Sequence, residues 1–294
     1  MARDGWLKAK APRLHRFWTR QDKPLPLLRE ALVGVLLIAL LLTTLFAATA
    51  QPFPRGSPVV VVTSGSMMHC TNGHPPLGRD CTPISYGRIG TIDPGDLIFV
   101  RRVSAAGDVA TKAQDRARHY GDAGDVVVYH RGGSTTATPI IHRALFYLTV
   151  NPDGTYTVAE LGLDHVPSLD QPAVVRLAGC TLAAQGSHAW GAADSGFITR
   201  GDNNPAADQC PGISLSGPAR TEWLLGKARG ELPWVGLVKL FVDDLRGPSS
   251  NFGAAGTDSK VMLLVGVGVL VALPYGVRAV RRRRGPRDPA PPQP

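Results

Sequence analysis

Serine and histidine residues suited to acyl transfer occur at two places in the sequence. Ser64-Gly65-Ser66 directly follows a β-branched run, Val59–Thr63, so a tight turn can project a serine hydroxyl from the end of a strand. A serine hydroxyl is a weak nucleophile until a neighbouring base takes its proton. Histidine suits that task because an unperturbed imidazole titrates at about pH 6.5, and His142 lies inside the apolar run Ile140–Leu148. Each feature alone is common: Ser-Gly-Ser occurs in many loops, and a histidine within a strand is usually structural.

Two aspartates supply the third group that such chemistry needs. Asp202 and Asp208 flank a turn, Asn203-Asn204-Pro205, which follows the run Phe197–Arg200. A carboxylate can fix the tautomer of a catalytic histidine and stabilise the imidazolium that forms. When this segment is considered alone, an ordinary Asx turn explains the same residues.

The elements that must position these side chains are predominantly short β-branched runs. Clusters of Gly, Pro, Asn and Asp separate the runs, a spacing typical of an all-β sandwich or barrel-like body with long loops. Asn151–Gly154 predicts a hairpin turn, and segments 103–120 and 159–172 are interpreted as surface insertions. The predicted strands are Val59–Thr63, Leu97–Arg101, Val126–Tyr129, Ile140–Leu148, Thr155–Val158, Val174–Leu177 and Leu237–Val242.

Two uncharged runs predict membrane-spanning helices on either side of this body. Ala31–Pro54 is 24 residues without a charge, and Val261–Val277 is 17 residues without one. About 20 apolar residues cross a bilayer, so we predict spans at 31–52 and 259–277. Ala48-Thr49-Ala50 also fits a signal-peptide cleavage site, but the long run favours an uncleaved anchor.

Charge is concentrated at the two ends of the chain. Residues 1–30 carry a net charge of +5, residues 278–294 another +5, and the segment between them −1. Positive flanks predict that both tails are cytoplasmic and that 53–258 is an extracytoplasmic domain. A nucleic-acid binder needs basic groups on one folded face, so the distribution argues against nucleic acid as a partner and indicates the lipid bilayer.

Four cysteines lie in the translocated segment, where disulfides persist. The simplest pairing joins neighbours in sequence, Cys70–Cys81 and Cys180–Cys210. A zinc site made by His69, Cys70, His74 and Cys81 is the alternative, although its spacing matches no closed zinc knuckle.

Taken in order, these segments resemble type I signal peptidases of the histidine-using branch. The resemblance is carried by Ser-Gly-Ser66-Met, by His142-Arg143, and by Gly-Asp202-Asn-Asn with its downstream aspartate, and it covers roughly residues 30–242. It implies a signal-peptidase-like β fold, making the chain a mainly β extracytoplasmic domain with two transmembrane helices. It implies no cofactor and no bound metal.

The resemblance also assigns roles to residues. It makes Ser66 the nucleophile and His142 the base, with Ser64 assisting the oxyanion. Asp202 and Asp208 become the acidic pair, and Asp208 is the favoured partner of the histidine. The implied activity is that of a serine endopeptidase that removes signal peptides from preproteins as they leave a secretion translocon, cutting after small residues.

One position departs from the family pattern. His69 stands where the family usually has proline, and its closeness to Ser66 makes it a rival base. A bent loop of three residues seldom aims a ring back at the hydroxyl, so His142 is preferred. A lysine mechanism is set aside because no lysine of the translocated segment precedes an arginine in an apolar strand; these lysines are Lys112, Lys227, Lys239 and Lys260.

Two other classes of function compete with the peptidase. The first is a non-catalytic, membrane-tethered β domain that binds or assembles with other proteins, in which Ser66 and His142 are incidental. The second is a metal-dependent hydrolase, which the sequence disfavours because it has no HExxH motif. The excess of Arg over Lys, 25 to 7, favours a prokaryotic cell membrane as the location.

Overall fold

The structure is a computed structural model that describes residues 25–69, 90–182, 190–211, 217–247 and 251–283. The chain divides into two compact units, residues 1–56 and 57–294. The described part of the first unit is mainly one helix, α1 (Leu25–Thr49). Its threonine hydroxyls at 43, 44 and 49 bond to carbonyls four residues earlier, so its polar groups are satisfied within the helix.

The second unit is built on an eight-stranded antiparallel sheet. The strand order is β1-β2-β10-β5-β6-β7-β8, and β9 pairs with β6. Two further short strands, β3 and β4, pair with each other. The strands are β1 (Val59–Val61), β2 (Leu97–Arg101), β3 (Arg118–His119), β4 (Asp122–Ala123), β5 (Val126–Tyr129), β6 (Ile140–Val150), β7 (Tyr156–Val158), β8 (Leu163–Val166), β9 (Gly196–Arg200) and β10 (Leu224–Leu232).

Strand β6 is the longest strand and lies between β5 and β9. Its middle residues are buried, and Phe146 and Leu148 pack into a core cluster with Ile198 of β9. Both neighbours of β6 pair with it near its start, since Val127 lies opposite His142 and Arg200 lies opposite Arg143. The segment 142–143 is therefore held in place by strands on both sides.

Two segments predicted as strands are helices in the structure. Val174–Leu177 lies within α2 (Pro172–Ala178), which begins with proline and ends at Gly179 in a left-handed conformation. Leu237–Val242 lies within α3 (Leu237–Arg246), where Leu237, Leu240 and Phe241 follow helical rather than alternating spacing. Inside one expected insertion, 159–172, the chain forms β8, which pairs with β7.

The hairpin turn expected at Asn151–Gly154 is present between β6 and β7. The Gly154 amide donates to the Asn151 carbonyl at 3.0 Å, and Gly154 has a φ of +81°. Left-handed backbone of this kind is readily adopted by glycine.

The chain continues through α4 (Asn251–Ala254) into a long apolar helix, α5 (Thr257–Arg283). Within the described residues, two helical stretches are long and apolar enough to cross a membrane: Leu28–Thr49, with a mean hydropathy of 2.6, and Thr257–Gly276, with 1.7. These are length and composition criteria, and a signal sequence near the N-terminus meets them too.

Candidate active site

The serine loop follows β1, an end strand of the described sheet. Met67 is 1% exposed and packs in a core cluster with Val62 and Ile98, while Ser66 beside it is only partly buried. The buried methionine fixes the loop, so the neighbouring Ser66 hydroxyl is held at the surface of the cleft described below. The hydroxyl of Ser64 lies 3.3 Å from that of Ser66.

His142 stands between this serine and an aspartate. Its Nε2 lies 3.0 Å from Ser66 Oγ, and its Nδ1 lies 2.6 Å from Asp208 Oδ2. A carboxylate beside Nδ1 favours the tautomer with the proton on Nδ1, which leaves the Nε2 lone pair facing the serine hydroxyl. The His142 side chain is 11% exposed. This is the geometry of a nucleophile, a base and an orienting carboxylate.

Asp208 is fixed by two hydroxyl groups as well as by the histidine. Tyr129 Oη donates to Asp208 Oδ2 at 2.9 Å, and Thr199 Oγ1 donates to the same oxygen at 2.7 Å. Burial, together with the charge of Asp208, raises the pKa of Tyr129 well above its ordinary value, so this phenol remains a donor. The carboxylate is therefore held at the end of β9 by groups that also stabilise its charge.

The turn that carries both aspartates also grips the serine loop. The Asn203 amide donates to the Ser66 carbonyl at 2.8 Å, and Asn203 Nδ2 donates to the Gly65 carbonyl at 2.9 Å. Position 201 has no room for a larger residue than glycine, because a Cβ there would lie 2.5 Å from Ser66 O and 2.9 Å from His142 Nε2. The turn thus fixes the position of Ser66 relative to His142.

Asp202 has different partners from Asp208. Arg143 Nε lies 2.7 Å from Asp202 Oδ1, and Arg143 Nη2 lies 2.5 Å from Oδ2. His69 Nε2 is 2.7 Å from the same Oδ2. Burial opposes ionisation of Asp202, but the bonds from Arg143 and His69 outweigh it and lower its pKa to about 2. Of the predicted acidic pair, only Asp208 contacts the ring of His142 in these bonds.

The structure also locates the rival base and the cysteines. His69 directs Nε2 at Asp202, and His142 is the ring whose nitrogen bonds to Ser66. The predicted disulfide Cys180–Cys210 is confirmed, with 6.0 Å between the Cα atoms. It ties the chain just after Asp208 to the end of α2. The other predicted pair, Cys70–Cys81, lies outside the described residues, as does His74 of the alternative zinc site.

A cleft of about 1290 Å³ adjoins the serine and the histidine. Its walls are largely aliphatic and come from β1, from the start of β6 and from α3; they include Val60, Val62, Ile141, Val235, Val238 and Val242. Among the described strands, β1 pairs only with β2, so the other edge of β1 has no partner strand there. An extended apolar peptide can pair with such an edge and present one carbonyl to Ser66.

Several residues of the site were not found by sequence reasoning. Tyr129 and Thr199 end or nearly end predicted apolar runs, and nothing local marks them as partners of Asp208. Gly201 and Asn203 belong to the turn already singled out, where the Gly-Asp-Asn-Asn sequence was a usable signal.

The sequence matches no protein-family model and no curated protein.

Proposed function

We propose that this chain is a membrane-anchored serine endopeptidase that removes N-terminal signal peptides from translocated preproteins. The observation that carries the proposal is the His142 ring, whose two nitrogens lie 3.0 Å from Ser66 Oγ and 2.6 Å from Asp208 Oδ2. The proposed fold is a signal-peptidase-like β domain between two transmembrane helices. Both tails are cytoplasmic, and residues 53–258 lie on the other side of a cell membrane.

The proposed reaction is acyl transfer through Ser66. The serine Oγ attacks the scissile carbonyl carbon while His142 Nε2 takes its proton, and the imidazolium then gives that proton to the leaving amine. Asp208 keeps the ring oriented and stabilises its positive charge. Water, activated by the same nitrogen, then hydrolyses the acyl-enzyme and regenerates Ser66.

Charge that develops on the substrate oxygen needs donors beside Ser66. The Ser64 hydroxyl, 3.3 Å from Ser66 Oγ, supports an assisting role for this side chain, together with the Ser66 amide. Removing one such donor costs about 3 kcal/mol of transition-state stabilisation.

The cleft supports a peptide substrate with small apolar residues. Its lining beside the catalytic pair is aliphatic, with Val128 and Ile141 close to His142 in sequence or register. The cleft is also lined by Lys239, Asp243 and Arg246 of α3. Because an extended chain alternates its side chains, alternate residues would enter the aliphatic part of the lining, where small apolar side chains are favoured. Signal peptides with small residues before the cleavage site fit this requirement.

The neighbourhood of α3 supports a site close to the bilayer surface. Leu237 and Leu240 of α3 pack with Leu263 of α5, and Trp234 lies 3.5 Å from a Cβ built on Gly266. Leu263 and Gly266 both lie in the uncharged run of α5, which begins at Val261. At a rise of 1.5 Å per residue, Gly266 lies about 8 Å along the helix from Val261. Because α3 also lines the cleft, a substrate emerging from the bilayer or from a translocon would meet the cleft directly.

The apolar outer face of α3 agrees with this placement. Phe241 is 48% exposed and Leu245 is 71% exposed. An amphipathic helix with such a face is stabilised at a membrane interface.

Cleavage of a model preprotein by the purified full-length chain in mixed micelles tests the proposal. We expect the wild type to release a signal peptide that ends in a small residue, identified by mass spectrometry, and Ser66→Ala to release none. Ser168→Ala is the matched control, because this serine bonds to Asp170 in a loop. If the folded wild type binds the signal peptide without cutting it, the chain is a membrane-tethered binding module instead.

Reporter fusions at positions 25 and 290 test the proposed topology. Both are expected to report cytoplasm. An extracytoplasmic signal at position 290 would contradict a second span.

A further inference from the structure

A second group of buried charged residues lies beside the proposed catalytic triad. Asp202 accepts bonds from Arg143 at 2.7 and 2.5 Å and from His69 at 2.7 Å. All three side chains are almost fully buried, with exposures of 6% or less. The proposed reaction assigns none of them a step, so their role needs another explanation.

Arg143 is itself immobilised by backbone carbonyls. Its Nη1 donates to the carbonyls of His119 at 3.0 Å and Gly124 at 2.7 Å, and its Nη2 donates to that of Tyr120 at 3.2 Å. The guanidinium therefore has partners on several sides and fixes Asp202 to the turn around residues 119–124. A bidentate arginine–carboxylate pair is geometrically specific, so Asp202 presents its Oδ2 to His69 from a fixed position.

His69 lies three residues after Ser66, at the far end of the serine loop. The turn that begins at Gly201 already holds the carbonyls of Gly65 and Ser66 through Asn203. The His69–Asp202 bond is a third attachment between the same two segments. A Cβ built on Gly121 would lie 2.9 Å from His69 Nδ1, so the ring is also confined on its other side.

From this geometry we infer that His69 is a positioning residue, which holds the Ser66 hydroxyl at the His142 ring by anchoring the end of the serine loop to Asp202. The inference rests on the proposed function. Proline, which the resemblance leads one to expect at this position, would restrict the backbone covalently by fixing φ. In this chain a side-chain hydrogen bond to a fixed carboxylate supplies the restraint instead.

A merely stabilising role predicts a different response to mutation. In His69→Ala, Asp202 keeps its bonds to Arg143, so the buried charge remains paired and the domain folds. The serine loop, in contrast, loses one of the three hydrogen bonds that join it to the Gly201 turn. Loss of positioning lowers the rate of the chemical step, whereas simple destabilisation lowers only the folded fraction.

The test compares four variants of the full-length chain in mixed micelles. His69→Ala is expected to lower kcat about tenfold or more with KM within about twofold, because misplacing a reacting atom acts on the transition state. The kcat of His69→Gln is expected to lie within about threefold of the wild-type value, since the glutamine Nε2 can donate to Asp202. His69→Pro tests the covalent restraint and is expected to have a higher kcat than the alanine variant. His165→Ala, which removes an exposed histidine 2.9 Å from Asp164, is the matched control and should behave as wild type.

Hydrogen–deuterium exchange supplies a readout that does not depend on activity. Peptides covering 62–68 should exchange faster in His69→Ala than in wild type, and the glutamine variant should restore slow exchange. The inference is overturned if the alanine variant keeps wild-type kcat and exchange, or if glutamine is no better than alanine in both measurements.

The outcomes also separate this inference from the proposed function. If the wild type cleaves no preprotein, the proposed function fails, and exchange of the serine loop alone decides whether His69 anchors it. If glutamine restores turnover, His69 is not the base, because an amide cannot accept and return the proton.

Discussion

Gly201→Ala should disable the site through a single methyl group. A Cβ at this position would lie 2.5 Å from the Ser66 carbonyl oxygen and 2.9 Å from His142 Nε2. Ordinary contact begins at about 3.4 Å, so the serine loop and the Gly201 turn must move apart by about 0.9 Å. No positive φ is involved at Gly201, and the effect is therefore steric rather than a backbone strain of alanine itself.

The size of the expected loss follows from this displacement. The Ser66–His142 distance is 3.0 Å, and an outward shift of about 0.9 Å takes it beyond the reach of a catalytic hydrogen bond. A misplacement of about 1 Å costs roughly 100-fold in rate, which corresponds to about 2.7 kcal/mol. We expect kcat/KM to fall by about this factor, whereas the melting temperature should fall by only a few degrees.

The assay is cleavage of a peptide that spans a signal-peptide junction, with rates normalised to the folded fraction measured by circular dichroism. Gly107→Ala is the matched control, because a Cβ there meets nothing within 4 Å. A Gly201→Ala variant whose kcat/KM lies within threefold of wild type would refute the view that this turn sets the position of Ser66.

Three further predictions concern the triad, a buried carboxyl and the disulfide. Ser66→Ala and His142→Ala should each abolish cleavage, and the double variant should be no worse than either, because nucleophile and base act as a unit; additive losses would contradict this. Burial, aided by nearby acidic groups, raises the pKa of Glu231 from 4.5 to about 7. Because the folded state resists ionisation of this carboxyl, the free energy of unfolding falls as the pH rises from about 4.5 to 7. Glu231→Gln should therefore raise the melting temperature at pH 8 and leave it unchanged at pH 4, and an equal effect at both would refute the assignment. Replacing Cys180 and Cys210 with alanine should lower the free energy of unfolding by about 2–4 kcal/mol and lower kcat by loosening the Asp208 loop. An unchanged kcat would show that the disulfide does not help to position Asp208.

Much of the sheet could be predicted because its strands are locally marked. Leu97–Arg101 and Val126–Tyr129 coincide with β2 and β5, where β-branched residues are bounded by turn residues. By contrast, β10 was missed because Lys227, Arg229 and Glu231 interrupt its apolar pattern. Lys227 and Arg229 are tolerated there because each reaches the buried Asp125 at 2.9 and 2.8 Å, a partner that no local pattern reveals.

Helices α2 and α3, which the sequence predicted as strands, show that a short apolar run does not by itself distinguish a helix from a strand. A run of four to six mainly apolar residues fits either structure, and flanking signals decide between them. Pro172 and Gly179 bracket α2, as Gly236 and Gly247 bracket α3. These start and stop signals were present in the sequence and were outweighed by β propensity.

In the site, the serine and the histidine could be named from the sequence, but most of their support could not. The bonds that fix them join residues far apart in the chain, such as Tyr129 to Asp208 and His69 to Asp202, at separations of 79 and 133 residues. Only the folded sheet, with β5 and β9 on either side of β6, brings such residues together. The different tasks of Asp202 and Asp208 likewise depend on Arg143, whose side chain lies with Asp202 rather than with His142.

Trapping of an acyl-enzyme tests the central claim, that Ser66 is the nucleophile activated by His142, most directly. The full-length chain is mixed with an activated ester of a short alanine-ended peptide, quenched with acid within one turnover, and mapped by mass spectrometry. We expect one acyl group on the Ser66 peptide in the wild type, none in Ser66→Ala, and much slower acylation in His142→Ala. An acyl group on another residue, or turnover that survives in Ser66→Ala, would contradict it.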